Sequence, residues 1–254
     1  MSDHSSDVPK RVAYDLADGI MRVQQEDGLY RHLAFASRAS WTRLTVITWP
    51  YNLLVAGSHG SFHFERHGDD TKDMLGWLRG IRVNPGGWAS KLVNGSASVE
   101  QYDRDRLENA VIERVAEAVR DGWAPEGLEK AVRSEVLDNE YLDDEQNALR
   151  ILAEFQHGMT YRSECSCGAF EDHDSYDSAV CWDYRVHRQE GDDHKVTVRE
   201  TGGFTFDDIG DWPRHKLDYH FVYQCHAASW AVKRYDRIRR YGLQALAAPK
   251  AMAS

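Results

Sequence analysis

Two short patterns in this chain combine residue types that bind metal ions. His63-x-Glu65-x-His67 offers two imidazoles and a carboxylate at alternate positions. On an extended strand these project from one face at about 6.6–6.8 Å intervals, and the donor set suits zinc or another divalent ion. The same alternation puts Phe62 and Phe64 on the opposite face, so it also reads as the polar outer side of a half-buried hairpin. Cys165-x-Cys167, with His173 and Cys181, is the second pattern. Three thiolates and one imidazole make a complete structural zinc shell, although a single residue between the first two cysteines is shorter than the usual zinc turn. Reduced cysteines without metal are the alternative. A metal staple has a physical motive here, because 158–203 is poor in aliphatic side chains that would otherwise build a core.

A third set could hold an anion. Arg43, Arg66, Arg79, Arg82 and Lys91 surround Asn84-Pro85-Gly86-Gly87. Gathered, they form a cationic edge; dispersed, they are ordinary surface charges. Arg43, Arg66 and Arg82, with the turn residue His59 and the hairpin residues His63 and Glu65, make up the candidate ligand-binding set. Near the C-terminus, His220 and Gln224 share a helix face at i,i+4, and buried histidines on an aromatic helix are ordinarily held by core hydrogen bonds. No GxSxG, P-loop, dinucleotide fingerprint or HExxH sequence occurs, which argues against the familiar hydrolase and nucleotide-binding templates.

The elements that must position these residues are unevenly legible. From Trp41 to Arg66 the chain reads as adjacent strands. Leu44, Val46 and Thr48 alternate with Thr45, Ile47 and Trp49, Pro50 ends the first strand, and Gly57-Ser58-His59-Gly60 is a tight turn. Val12 to Gln24 has helical spacing. A further helix starts near Asp70, capped by Asp69 or Asp70, with Met74, Leu75 and Leu78 on its buried side. Asn84 to Gly87 reads as a turn, followed by a short helical piece carrying Trp88 and Leu92, and Ser98 with Gln101 resembles a capping box. Leu107, Val111, Val115 and Ala118 form one helical stripe over about 103–120, and two more helices are expected at about 126–137 and 143–157. The acidic run between them reads as a solvated loop and helix start. Val196 to Val198 hints at a strand. Leu217, Phe221, Cys225, Ala228, Val232 and Tyr235 recur at three- and four-residue steps through 216–241, and arginines crowd the end of that helix, where cations suit its dipole.

Residues 1–10 and 245–254 are expected to be loose. The fold class is α+β: an N-terminal antiparallel sheet packed on several helices, with a long buried C-terminal helix. The expected organisation is one integrated domain over 1–254, with 158–203 an irregular, metal-stapled insertion. At 254 residues, with 42% hydrophobic and 28% charged residues, the chain is able to bury a sizeable core.

A net charge of −10 disfavours general duplex DNA binding, because the phosphate backbone repels an acidic protein. The polar start, and the lack of an apolar run long enough for a bilayer, lead to the expectation of a cytoplasmic chain without a membrane partner and with reduced cysteines.

Four pieces together resemble a family of uncharacterised accessory proteins of tailed bacteriophages. They are Arg31-His32-Leu33 leading to Ile47-Thr48-Trp49-Pro50; Gly57-Ser58-His59-Gly60 with Phe62-His63-Phe64; the stretch from Val83 to Leu92; and the helix from Tyr219 to Trp230, closed by Tyr235-Asp236. The resemblance implies a phage origin and one integrated domain, and it carries no activity. Where the family turn reads Gly-Asp-Met-Gly, this chain has Ser58 and His59, so no mechanism resting on a carboxylate in that turn carries over. Two functional expectations follow. The first is a non-enzymatic phage accessory protein that binds a host protein or a nucleotide-like ligand, to counter host defence or alter host physiology. The second is a metal-dependent enzyme acting on nucleotides or nucleic acid through His63, Glu65 and His67.

Overall fold

A computed structural model describes residues 7–68, 72–80, 82–186 and 195–240 of the chain. In chain order the elements are α1 (Val8–Asp15), β1 (Ile20–Asp27), β2 (Tyr30–Ala36), β3 (Arg43–Trp49), β4 (Asn52–Gly57) and β5 (Gly60–Glu65). Then come α2 (Met74–Gly80), α3 (Pro85–Ala89), β6 (Glu100–Tyr102), α4 (Arg104–Arg120), α5 (Leu128–Val132) and α6 (Glu145–Glu154). The series ends with β7 (Gln156–Cys165), β8 (Phe170–His173), α7 (Tyr176–Val186), β9 (Val196–Thr205), β10 (His215–Leu217) and α8 (Tyr219–Arg240). They form two compact units, one built from 7–101 with 216–240 and the other from 102–215. The division thus falls at 102 and 215, whereas the sequence suggests one domain with an insertion over 158–203.

The first unit is the expected α+β arrangement. Strands β1 to β5 form an antiparallel sheet in sequence order. The register pairs Leu33 with Val46 and Val46 with Val55, so these side chains share one face, and all three are buried. Helix α8 packs on that face. Phe221 meets Phe62 edge-on at 5.2 Å, and Trp230 meets Phe35 at 4.9 Å. Asp218 caps the helix by accepting from the Phe221 N–H, and Tyr223, Cys225, Ala228 and Tyr235 are buried along it. Burial pushes the Cys225 thiol well above its ordinary range. Val12, Leu75 and Trp88 bring α1, α2 and α3 into the same core.

The second unit has its own core, in which Leu107, Val111, Val132, Leu152, Phe155 and Phe204 are buried together. Its sheet is antiparallel, in the order β8-β7-β9. The acidic run serves local structure: Glu140–Asp143 is a 3₁₀ turn, and Asp144 caps α6 by accepting from the Asn147 N–H at 2.9 Å.

Several sequence expectations change. The helix expected over Val12–Gln24 is α1 ending at Asp15, followed by β1. Gly19 marks the break, because a Cβ there would lie 1.9 Å from the Phe35 ring. Asn84-Pro85-Gly86-Gly87 is the start of a one-turn helix: Asn84 Oδ1 accepts from the Gly87 N–H at 3.2 Å, and Pro85 takes the first helical position. Asp103 caps α4 in place of the Ser98–Gln101 box, accepting from the Arg106 N–H. The expected helix over 143–157 stops at Glu154, and β7 follows. The expected caps Asp69 and Asp70 and the tail 245–254 lie outside the described residues. Of the expected loose start, Val8–Lys10 belong to α1.

Candidate functional site

In the first unit, the β4–β5 turn, the first turn of α8, the end of α1 and the β2–β3 loop converge on one pocket of about 350 Å³. The turn is clamped by β3. Ser58 N–H donates to Arg43 O at 3.0 Å, and Arg43 N–H donates to Ser58 Oγ at 2.9 Å. Gln224 on α8 donates to Gly60 O at 3.0 Å, fixing the other side of the turn. His59 is thereby stacked on Tyr223, with centroids 3.8 Å apart and planes at 30°. Its Nδ1 lies 2.9 Å from Nδ1 of His220, so one ring donates and the other accepts. Burial pushes the His59 imidazole below the ordinary histidine range; His220 and Arg11 act in the same direction, and Asp15 opposes them.

Asp15 is the buried charge of the site, its side chain 5% exposed. Its Oδ2 accepts from Arg11 Nε at 2.9 Å and from the Tyr223 hydroxyl at 3.1 Å. Its Oδ1 has no hydrogen-bond partner among the described residues. Burial, and then the Asp15 charge, raise the Tyr223 hydroxyl above its ordinary value. Ser40 anchors the β2–β3 loop by donating to Asp15 O, and Ser37 N–H donates to Thr42 O at 2.9 Å. Between these anchors Trp41 sits at φ +56°, a left-handed backbone unusual for a bulky residue, with its side chain 85% exposed at the pocket rim. Tyr219 lines the same pocket.

Of the ligand-binding residues expected from sequence, His59 lies in this pocket, and Arg43 supports it through its backbone. The others go elsewhere. His63 lies against Trp49 with ring centroids 5.3 Å apart, and its Nε2 is 2.8 Å from Asn52 Oδ1. Glu65, Arg66 and Lys91 border a second depression of about 400 Å³ with His67, whose Nε2 is 3.7 Å from Glu65 Oε2. The Arg66 guanidinium lies over the Trp77 ring. Arg79 forms a two-point ion pair with Asp236 at 2.7 and 2.8 Å. Arg82 lies on the surface. A single cationic edge is therefore not assembled from the expected five residues.

The zinc expectations also change. Among the described residues, no group of three or more His, Cys, Asp or Glu side chains is placed to hold a metal ion. The hairpin register explains why Cys165, Cys167, His173 and Cys181 do not make one shell. His173 pairs with Tyr161, four residues back along β7 from Cys165, or about 13 Å at strand rise. Ligand atoms of one zinc ion must all lie within about 2.0–2.3 Å of it. Cys181 stands exposed on α7. For His63, Glu65 and His67, β5 ends at Glu65, so His67 does not continue the strand face.

Arg11, Asp15, Trp41, Tyr219 and Tyr223 are site residues that the sequence reading did not single out. The available signal was small: Arg11 and Asp15 stand at i,i+4, and Trp41 lies between two strands in a Ser-rich stretch. The pocket offers an exposed indole, a phenol, hydroxyls, one guanidinium, one carboxylate and the His59 imidazole, which shares a proton with His220 behind it. That assortment is suited to holding a planar, hydrogen-bonding molecule. No protein-family model, curated protein or solved structure matches this chain.

Proposed function

We propose that the first unit is a ligand-binding module whose pocket takes a nucleoside or nucleoside monophosphate, the nucleotide-like ligand expected for a phage accessory protein acting on its host. One observation carries this reading: the indole of Trp41 is presented to solvent on a left-handed backbone at the rim of a polar pocket. An arrangement that costs conformational energy, of order 1–3 kcal/mol, is supported by its surroundings and clusters at functional sites. A flat aromatic surface beside hydrogen-bonding groups is what a base needs for stacking and edge recognition.

Charge narrows the ligand. Arg11 is the only lysine or arginine among the described residues lining the pocket, and Asp15 already shares it. A single, partly neutralised cation matches at most one phosphate, so triphosphates fit poorly. His63, Glu65 and His67 lack the geometry for the metal-dependent alternative, which leaves binding as the better-supported activity.

Calorimetric titration with nucleosides, nucleoside monophosphates and triphosphates tests the proposal. Monophosphates or nucleosides are expected to bind, and Trp41→Ala is expected to weaken them about tenfold or more, since a base–aromatic stack is worth roughly 1–3 kcal/mol. The melting temperature should not change, because the side chain is exposed. No binding by any of these compounds at millimolar concentration, or binding indifferent to Trp41→Ala, refutes it.

A further inference from the structure

Cys165 closes β7, and Cys167 stands two residues on, inside the turn that leads to β8. Two backbone bonds fix that turn: Gly168 N–H donates to Cys165 O at 2.9 Å, and Cys165 N–H donates to Ala169 O at 2.8 Å. Gly168 sits at φ +91°, where a side chain would be strained. Ser166, between the cysteines, is held by Lys195, the residue that leads into β9. Its N–H donates to Lys195 O at 3.0 Å, and its Oγ accepts from the Lys195 N–H at 3.1 Å. Within this braced loop the two cysteines stand one residue apart, one at the end of β7 and the other in the turn that follows it. Cys165 is buried and Cys167 is exposed. Two trans peptides separate their Cα atoms by at most about 7.6 Å, and a turn shortens that span into the range a disulfide bridges.

We infer that Cys165-Ser166-Cys167 is a reversible dithiol–disulfide site that exchanges with small disulfides of the glutathione class. The exposed Cys167 thiolate attacks one sulfur of the small disulfide, whose S–S bond breaks, and one small thiolate leaves with the electron pair. Cys165 then releases its proton to solvent, and its sulfur attacks Cys167 Sγ, expelling the second small thiolate. The protein gives up two electrons and two protons, and two molecules of small thiol receive them. The order of events follows from accessibility: only Cys167 meets the solution, and the buried Cys165 is placed to resolve the adduct. The Ala169 backbone, and then the Cys165 thiol, hold the Cys167 thiol below its ordinary range, which favours the attacking thiolate.

Equilibrating the full-length protein in glutathione buffers, from fully reduced to fully oxidised, tests this inference, read by intact mass and peptide mapping after alkylation. The expected product is lighter by the two hydrogens lost, with a disulfide mapped between Cys165 and Cys167. Reduced glutathione reverses it, and Cys181→Ser does not alter it. In Cys165→Ala the reaction should stop at a glutathione adduct on Cys167. An absence of oxidation across the series, a lasting adduct on Cys167 in the unsubstituted protein, or a disulfide to Cys181 or to a second chain would each overturn the inference.

Discussion

His59 connects three elements through one ring: it belongs to the β4–β5 turn, stacks on Tyr223 and shares a proton with His220 on α8. Partial burial makes its charged form costly, and this has a definite pH consequence. A histidine whose folded pKa lies below its unfolded value contributes no pH dependence while both states are neutral, above about pH 6.5. As the pH falls from there towards the lowered folded value, the unfolded chain takes up the proton first, and stability drops. His226, depressed by burial and then by Lys233, adds in the same direction. The urea midpoint is therefore expected to be flat near neutrality and to fall below about pH 6.5, with His59→Gln removing part of the fall. A midpoint that rises on acidification through that window contradicts the assignment.

At the scale of elements, the site depends on how closely β4 approaches β3. A Cβ on Gly57 would lie 2.1 Å from Arg43 O, so Gly57→Ala must push apart the strands that hold the His59 turn. A loss of about 1–3 kcal/mol is expected by chemical denaturation, the usual cost of forced overpacking. Helix α8 gives a second test. Phe221 is fully buried, and Phe221→Ala should cost about 3–5 kcal/mol, whereas Trp230 is only partly buried and its truncation should cost less. Equal losses would place the core of the unit differently. The legible elements were those whose period is sustained: β3 to β5 by strict alternation broken at Pro50, and α8 by an apolar stripe that runs its whole length. Val12 to Gln24 misled because Val12 on a helix, Leu16 at its C-cap, and Ile20 and Val23 on the strand that follows imitate one helical stripe when Gly19 is overlooked. Strands β7 to β9 were obscure because few of their residues are buried, so neither face prints an alternation. The pocket was mostly hidden for another reason. His59 and His220 are 161 residues apart in sequence, and Asp15 and Tyr223 are 208 apart, so no local pattern announces either contact.

For the whole molecule, the separation of the two cores matters most. The first unit is interrupted in sequence by the second, yet its two cut ends lie together: Asp218 N–H donates to Val99 O at 2.8 Å, and Gln101 Nε2 donates to Asp218 Oδ2 at 2.6 Å. Every buried side chain of its core comes from 8–99 or 221–235, and none from the intervening segment. Autonomous folding needs a self-contained core and ends that a short connection can join. Replacing 102–215 with a short Gly/Ser linker should therefore leave a protein that unfolds in one cooperative transition and still carries the pocket of Asp15, Trp41, His59 and Tyr219. Closing the ends with a few residues costs little loop entropy, since that term grows only slowly with length. The excised protein is expected to bind the same small molecules as the full chain, because all the described lining residues of the pocket belong to the retained unit. Non-cooperative melting or aggregation of the excised protein would mean that the first unit depends on the second for its stability. Cooperative folding with loss of ligand would mean instead that binding draws on residues from 102–215, and the pocket would have to be reassigned.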